Sequence, residues 1–242
     1  MSVTSAKPAF RRVVVKLSGE ALMGDGSHGL DAPTVQRIAA DLAAAAALGT
    51  EIAVVIGGGN FFRGIQGAEK GIERARADSI GMLATVMNAL AMEGAIEAEG
   101  RAARVLSAIS MPQLCQPYSR QAALGHLAKG RIVILAGGTG NPFFTTDTGA
   151  ALRAAELSCD AVMKATQVDG VYTADPKRDP NARRYERLTH DEAIAQNLAV
   201  MDTAAFALAR ENGLTILVFS IREPNPVSRV LAGIGHATHV VP

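Results

Sequence analysis

The sequence predicts an α/β protein, an αβα sandwich with a mainly parallel central sheet. Short apolar runs alternate with helical patterns along almost the whole chain, as expected when helices connect parallel strands. The apolar runs are continuous and β-branched rather than alternating, which indicates strands buried on both faces. Glycines follow several of these runs, and such turns bind ligands at the carboxyl edge of open α/β sheets.

The first half of the chain carries four predicted strands and three predicted helices. The strands are expected at 13–17, 51–56, 104–109 and 132–135, and the helices at 34–48, 74–99 and 119–128. Gly49, Gly100 and Gly130 end the three helices, as glycines commonly do. We expect Gly81 or Gly94 to break or kink the longest helix, because glycine weakens helix interiors.

The second half continues the same alternation. Helices are expected at 148–157, 191–196, 202–211 and 227–232, and strands at 161–165, 215–219 and 238–241. Turn residues around a Val-Tyr-Thr core at 169–176 predict a hairpin or loop. No Pro/Ser-rich linker divides the chain, so we expect one domain over 1–242, with a distinct lobe from about 161.

Composition limits the function classes. The chain has 242 residues, 48% of them hydrophobic, and a net charge of +1, so it lacks the basic excess of a nucleic-acid binder. Aromatic residues make up 4% with no Trp, which disfavours base-stacking surfaces. Cys115 and Cys159 form neither a disulfide framework nor a metal-ligand spacing. We expect a cytoplasmic protein, since residues 1–12 do not resemble a signal peptide and no uncharged apolar run reaches 18 residues.

The most informative segment is 135–147, which reads L-A-G-G-T-G-N-P-F-F-T-T-D. A predicted buried strand enters a glycine turn and then a helix start, an arrangement that binds phosphate groups. The hydroxyls of Thr145 and Thr146 and the carboxylate of Asp147 lie beside these backbone amides. A plain connecting turn does not need this chemistry.

Three predicted strand ends carry glycine, at 16–20, 56–60 and 136–141. In a parallel sheet all three would lie at the same carboxyl edge. Glycine lets backbone amides approach an anion closely. One such turn is weak evidence, but three at one edge favour a site for several phosphates.

Charged residues flank these turns. Lys16 and Lys164 both end apolar strands, where they either reach solvent or stabilise a phosphoryl group. Arg63 follows the second turn and is either a phosphate clamp or a solvated charge. By themselves, Asp147 and Asp202 are explained equally well as acids at helix starts.

Several alternatives are disfavoured by missing motifs. The chain has no P-loop signature and no protein-kinase, H-E-x-x-H or G-x-S-x-G motif. Residues 24–29 match G-x-G-x-x-G but follow no strand directly, so we interpret them as a flexible loop. Asp78, on its own, reads as an exposed helix residue pairing at i,i+4.

The chain resembles the bacterial uridylate kinases of the amino acid kinase superfamily essentially end to end. The segments that carry the resemblance are 16–22, 55–60 with 63–64, 81–88, 139–147 and 168–176. The first two are shared with relatives that phosphorylate amino acids or carbamate, whereas 139–147 is more selective. The resemblance implies transfer of a phosphoryl group from ATP to UMP with Mg²⁺, an acceptor-binding part at about 1–160 and an ATP-binding part at about 161–242.

The resemblance also implies roles for individual residues, by position in this sequence. The implied ATP contacts are Lys16, Leu17, Ser18, Gly19, Gly59, Arg63, Thr166, Tyr172 and Asp175. The implied UMP contacts are Gly58, Asp78, Thr139, Gly140, Asn141, Pro142, Phe143, Phe144, Thr145 and Thr146. Lys16 and Lys164 would stabilise developing charge, Asp202 would hold the lysines in place, and Asp147 would organise metal and phosphates.

The family further implies a homohexamer activated by GTP and inhibited by UTP. From the composition and the apolar runs we expect no nucleic-acid or membrane partner. The segment tied to the GTP response comprises Gly24, Asp25, Gly26, Ser27, His28 and Gly29. Two alternatives stay open: a relative acting on a carboxylate or carbamate, and a nucleotide-binding regulator with little catalysis. The absence of an obvious general base favours a phosphate acceptor, which is already ionised at neutral pH.

Overall fold

The computed structural model describes residues 9–63, 71–176, 178–196, 198 and 201–242. Nine strands form a single sheet within these residues. The strands are β1 (Arg12–Leu17), β2 (Glu51–Ile56), β3 (Ala103–Ser107), β4 (Gln116–Pro117), β5 (Ile132–Ala136), β6 (Ala161–Thr166), β7 (Arg187–Thr189), β8 (Thr215–Ser220) and β9 (Thr238–Val241). Their order is β4-β3-β5-β2-β1-β6-β8-β9-β7.

Seven α-helices of the described chain surround the sheet. They are α1 (Ala32–Ala47), α2 (Arg74–Ala98), α3 (Arg120–Leu127), α4 (Thr146–Glu156), α5 (His190–Ala195), α6 (Thr203–Glu211) and α7 (Pro226–Leu231), with a 3₁₀ helix at Gly19–Leu22. Alternating strands and helices are therefore confirmed as the basis of the fold.

The sheet is mainly parallel, as predicted. The pair β8–β9 is antiparallel, and the other strand pairs described are parallel. β1 pairs with β2 on one side and with β6 on the other, so the two halves of the chain share one sheet. This arrangement brings the carboxyl ends of β1, β2, β5 and β6 to one edge.

Both faces of the sheet are buried, which explains the continuous apolar runs. Val13 and Val15 pack into a core with α1, α2 and α7, whereas Val14 packs into a second core with α3, α4 and α6. The side chains of a strand alternate between the two faces. Consequently Lys16, two residues after Val14, faces the layer that contains α4.

Two details differ from the sequence-based prediction. α2 runs unbroken from Arg74 to Ala98 through Gly81 and Gly94; its buried side chains anchor it, so the small propensity cost of glycine does not end it. The strands β4 and β7, two and three residues long, were not predicted. The prediction of a hairpin or loop at 169–176 is confirmed, since these residues form a loop with an antiparallel bridge between Tyr172 and Arg184.

Among the described residues, α2 is the one helix long and apolar enough to cross a bilayer. Length and composition alone produce that match. In the structure α2 contacts α1 and the sheet, and its Met92 and Ile96 are fully buried. It is therefore part of the helical layer of the sandwich.

Candidate active site

The first two glycine turns touch each other at the carboxyl edge of the sheet. A Cβ atom on Gly19 would come within 2.7 Å of both the Gly57 carbonyl oxygen and the Gly59 nitrogen. Glycine is thus required at position 19 for the two backbones to approach. The sequence-based expectation that these turns share one edge is confirmed.

The third turn begins at Gly137 and lies beside the other two. Gly137 and Gly140 have φ angles of 77° and 82°, a region that favours glycine. The Gly137 amide donates a hydrogen bond to Thr85 Oγ1 of α2 at 2.8 Å. This turn is therefore tied to the long helix as well as to β5.

Lys16 and Lys164 lie opposite each other on β1 and β6, with Asp147 of α4 between them. Asp147 Oδ1 is 2.7 Å from Lys16 Nζ, and Asp147 Oδ2 is 2.5 Å from Lys164 Nζ. All three side chains are largely buried. A buried charged cluster needs internal partners, and this one retains an excess positive charge beside the glycine turns.

The surroundings shift the pKa values of this cluster. Burial alone would raise the pKa of Asp147, but the charges and hydrogen bonds of Lys16 and Lys164 outweigh it and hold the pKa below 3.8. Burial lowers the pKa of Lys164 below 10.5; Asp147 opposes this shift, and Lys16 reinforces it. Because Asp147 is an anion at neutral pH, it can hold both lysines in place.

Asp202 joins the starts of two helices. Its carboxylate accepts from the Ala205 amide at 3.0 Å and so caps α6. It also accepts from the hydroxyls of Thr145 and Thr148, the latter at 2.9 Å. Thr145 in turn caps α4. Asp202 therefore caps α6, as its position at a helix start suggested, and it also connects α6 to the first turn of α4.

One cavity, of about 130 Å³, lies between the second and third glycine turns and the start of α2. We call it the acceptor cavity, because the resemblance assigns its residues Gly58, Asp78 and Thr139 to UMP. Its lining residues come from three separate segments of the chain. They are Gly58, Phe62, Asp78, Gly81, Met82, Thr85, Gly138, Thr139, Asn141, Phe144 and Thr146.

Asp78 connects α2 to the loop that follows Gly140. It accepts from Arg74 Nε at 2.9 and 3.0 Å, the i,i+4 pair expected from the sequence. It also accepts from the Phe143 amide at 2.9 Å, a contact that the helix pattern alone did not predict. Phe143 has a φ of 71° and is 64% exposed, so the loop presents an unusual backbone conformation at this point.

A larger cavity, of about 540 Å³, is lined in part by Lys164. We call it the donor cavity, because the resemblance assigns its residues Thr166, Tyr172 and Asp175 to ATP. Its lining residues are Lys164, Thr166, Val168, Gly170, Val171, Tyr172, Thr173, Ala174, Asp175, Pro176, Gln196, Leu198 and Val218. The Tyr172 hydroxyl donates to Asp169 Oδ1 at 2.7 Å, and this hydrogen bond raises the pKa of Tyr172.

Arg63 and the loop at 24–29 both contact the segment of the second glycine turn. Arg63 forms an ion pair with Glu20 beside Gly59, a partner that the sequence analysis did not identify. Residues 24–29 form a largely exposed loop. The loop is held at Gly29, whose carbonyl accepts from Asn60 Nδ2 at 2.8 Å and whose amide donates to the Asn60 carbonyl at 2.9 Å.

A divalent metal at this site would need ligands beyond the side chains of the described residues. Within the described part of the chain, no group of three or more His, Cys, Asp or Glu side chains could hold an ion. Asp147 is the carboxylate nearest the lysines. Mg²⁺ is commonly held by one or two carboxylates together with substrate phosphates, so these residues fit a metal that arrives bound to a nucleotide.

Several residues that line the cavities were not predicted from the sequence. Phe62, Met82 and Thr85 line the acceptor cavity, and Gln196 and Leu198 line the donor cavity. The resemblance covered 81–88 without giving its residues a role. The small side chains in that segment could have indicated that α2 lies close to another part of the backbone. In the structure Gly58 approaches α2 so closely that a Cβ on Gly58 would lie 2.6 Å from the Gly81 carbonyl oxygen.

Three glycine turns, two largely buried lysines and two cavities at the carboxyl edge of a parallel sheet define an α/β enzyme that acts on phosphate groups. The model of the amino acid kinase family matches residues 11–220. Uridylate kinase from Azorhizobium caulinodans is 62% identical over 233 residues, covering 96% of this chain and 98% of that protein. Uridylate kinase from Nitrobacter hamburgensis is 59% identical, with 97% and 98% covered.

Solved structures of UMP kinases have the same fold as this chain. The UMP kinase from Bacillus anthracis has a TM-score of 0.92 and 40% identity, with 96% of each chain covered. The UMP kinase from Ureaplasma parvum has a TM-score of 0.92 and 38% identity, with 96% of this chain and 99% of that chain covered. This chain belongs to the uridylate kinases of the amino acid kinase family. It is a phosphotransferase.

Proposed function

We propose that the enzyme transfers the γ-phosphoryl group of ATP to UMP, yielding ADP and UDP. The observation that carries this proposal is the ion-paired cluster of Lys16, Asp147 and Lys164. Lys164 lines the donor cavity, and Asp147 directly follows Thr146, which lines the acceptor cavity. A donor and an acceptor bound in these cavities would bring their phosphates to the lysines. The names of the relatives support UMP as the acceptor.

On the donor side, the glycine turns bind the ATP phosphates and the donor cavity takes the nucleoside. We assign the phosphates to Lys16, Leu17, Ser18, Gly19, Gly59 and Arg63, and the adenine and ribose to Thr166, Tyr172 and Asp175. Support comes from the backbone contact between the first two turns and from the position of the latter three residues in the donor cavity. Arg63 must leave Glu20 in order to bind a phosphate.

On the acceptor side, the loop after β5 surrounds UMP. We assign this role to Gly58, Asp78, Thr139, Gly140, Asn141, Pro142, Phe143, Phe144, Thr145 and Thr146. Six of these ten, Gly58, Asp78, Thr139, Asn141, Phe144 and Thr146, line the acceptor cavity. Asp78 would accept hydrogen bonds from the ribose hydroxyls, because its carboxylate is on the cavity wall.

The chemistry requires positioning and charge neutralisation rather than a base. Lys16 and Lys164 stabilise the negative charge that spreads over the transferred group. Asp147 holds both lysines, while Asp202 holds the start of α4 through Thr145 and Thr148. Mg²⁺ bound with ATP would supply further charge neutralisation, with Asp147 as the protein carboxylate closest to it.

A panel of acceptors tests the substrate assignment. ATP turnover is measured by coupled detection of ADP with UMP, CMP, dUMP, glutamate, aspartate and carbamate in parallel. We expect turnover with UMP to exceed turnover with the carboxylates and carbamate by orders of magnitude. Turnover with one of those acceptors and none with UMP would instead support a different activity in the family. Binding of UMP without any turnover would support a regulator.

We also propose how the enzyme is regulated, how it assembles and where it is located. We infer GTP activation through residues 24–29, because Asn60 connects that loop to the second glycine turn. We also infer inhibition by UTP through competition in the acceptor cavity.

We further propose a cytoplasmic homohexamer without nucleic-acid or membrane partners. An exposed stripe on α2, formed by Ile80, Leu83 and Met87, supports assembly, since apolar patches commonly mark interfaces.

A further inference from the structure

We propose that Arg153 is a positioning residue for the acceptor loop: it fixes the carbonyl of Gly138 and thereby the peptide that leads into Thr139. This inference rests on the proposed function, because its kinetic consequence concerns UMP. Arg153 does not line either cavity. It acts through the backbone that does.

Arg153 is a buried cation in the last turns of α4, with a side chain only 7% exposed. Burying a guanidinium is costly unless its donors are bound. Nη1 donates to Glu156 Oε2 at 2.7 Å, and the guanidinium carbon lies 3.8 Å from the centre of the Tyr118 ring. The Tyr118 hydroxyl donates to the same Glu156 oxygen at 2.5 Å. Arg153 is therefore held on two sides in one orientation.

The remaining partner of Arg153 is the acceptor loop. Nη2 donates to the Gly138 carbonyl oxygen at 3.2 Å. Gly138 has a φ of 57° and lines the acceptor cavity together with Thr139. Because the peptide unit is planar, fixing the Gly138 carbonyl also fixes the direction of the Thr139 amide.

The same turn is fixed from the opposite side by α2. The Gly137 amide donates to Thr85 Oγ1 at 2.8 Å, and the Gly140 amide closes the turn on the Gly137 carbonyl at 2.9 Å. α4 also packs on the turn directly, since a Cβ on Gly149 would lie 3.5 Å from the Gly138 carbonyl carbon. Glycines alone would leave this turn conformationally free; Thr85 and Arg153 supply the missing constraint.

Fixing the Gly138 carbonyl requires a guanidinium group, which binds Glu156 and that carbonyl through two different nitrogens. Lysine would keep the positive charge but offers one compact ammonium group, which cannot replace the planar fork between Glu156 and the Gly138 carbonyl. Arg153→Lys therefore separates charge from positioning. Arg153→Met removes both while keeping an apolar stem over Tyr118.

The test measures KM for UMP, KM for ATP, kcat and the thermal midpoint of Arg153→Lys and Arg153→Met. Arg120→Gln is the control: Arg120 donates to the Glu156 carbonyl at 2.5 Å from an exposed position and has no bond to Gly138. We expect both Arg153 variants to raise KM for UMP by about tenfold, the effect of losing one charge-assisted hydrogen bond, while KM for ATP stays within about twofold. Arg120→Gln should match the wild type.

Amide hydrogen exchange in the free protein gives a second measurement that needs no substrate. We expect the Gly137 and Gly140 amides to exchange faster in Arg153→Lys than in the wild type, with exchange in β1 unchanged. Equal changes in both KM values, a lowered midpoint with unchanged KM values and exchange, or the same effect in Arg120→Gln would each overturn the proposal. If the wild type itself failed to phosphorylate UMP, the proposed function would be wrong, and the exchange result would still decide the role of Arg153.

Discussion

Asp147 binds the two lysines of the site, and its surroundings show what a sequence can and cannot reveal about a residue. Its place in the first turn of a helix was predictable from the Thr-Thr-Asp pattern. Its ion pairs with Lys16 and Lys164 were not, because they depend on β1 and β6 lying side by side. The resemblance gives the task of holding the lysines to Asp202. In the structure Asp147 makes ion pairs with both lysines, and the charge of Asp202 opposes the lowering of the pKa of Lys164.

Lys16→Met tests the charge of the site at the residue scale. We expect kcat to fall by orders of magnitude, because the transferred group loses one of its two neutralising cations. The fold should persist, since Lys164 still pairs with Asp147 and the apolar stem is retained. Steady-state kinetics and circular dichroism check both statements. Turnover close to wild type would remove Lys16 from the mechanism.

Asp78→Ala tests the acceptor side. Loss of the carboxylate removes the proposed ribose contact and frees both Arg74 and the Phe143 amide. We expect KM for UMP to rise by about tenfold or more, with KM for ATP little changed. The two KM values, measured with the other substrate saturating, give the answer. An effect confined to ATP would reverse the assignment of the two cavities.

At the scale of elements, long apolar runs were predictable and short strands were not. β1, β2, β5, β6 and β8 each carry five or six residues of apolar pattern. β4 and β7 have two and three residues, too few for a periodic signal. Their pairing is decided by tertiary position rather than by local preference.

The close approach of Gly58 to α2 gives a prediction at the scale of elements. A Cβ on Gly58 would lie 2.6 Å from the Gly81 carbonyl oxygen and 2.8 Å from Ala84 Cβ, so Gly58→Ala should push α2 away from the second turn. We expect a loss of about 1–3 kcal/mol in unfolding free energy and a raised KM for UMP.

Gly125→Ala in α3 is the matched control, because nothing lies within 4 Å of its added Cβ. It should stabilise the protein by about 0.5–1 kcal/mol. Urea unfolding of both variants gives the comparison. Equal stability changes in the two variants would show that the close approach at Gly58 does not matter.

At the scale of the whole molecule, the layered fold and the edge that carries the site followed from the sequence. The three glycine turns could be assigned to one edge because parallel strands end together. The two cavities could not be assigned, since each is lined by segments far apart in the chain, such as Thr85 with Gly138. The spacing of residues in the sequence does not show that these segments lie next to each other in the fold.

Stability should decrease in mild acid. Burial lowers the pKa of His190 below 6.5, against a hydrogen bond to the Leu214 carbonyl that raises it; burial also lowers the pKa of His126 and His239. The unfolded chain therefore binds protons near pH 6.5 that the folded chain does not, so stability is full above that pH and declines as pH falls below it.

Thermal midpoints between pH 7.5 and 5.5 measure this effect. His190→Gln retains a neutral donor for the Leu214 carbonyl, and it should show a smaller decrease in midpoint than the wild type. His28→Gln, at an exposed position, should leave the decrease unchanged. A decrease of the same size in all three proteins would place the acid sensitivity elsewhere in the molecule.

The central claim is that a phosphoryl group passes from the donor cavity to the acceptor cavity beside Lys16 and Lys164. Phosphorus NMR of the wild-type enzyme with ATP, UMP and Mg²⁺ observes this transfer directly. The account predicts that UDP and ADP appear in equal amounts while ATP and UMP are consumed together. Release of inorganic phosphate without UDP, or no consumption of UMP, would contradict it.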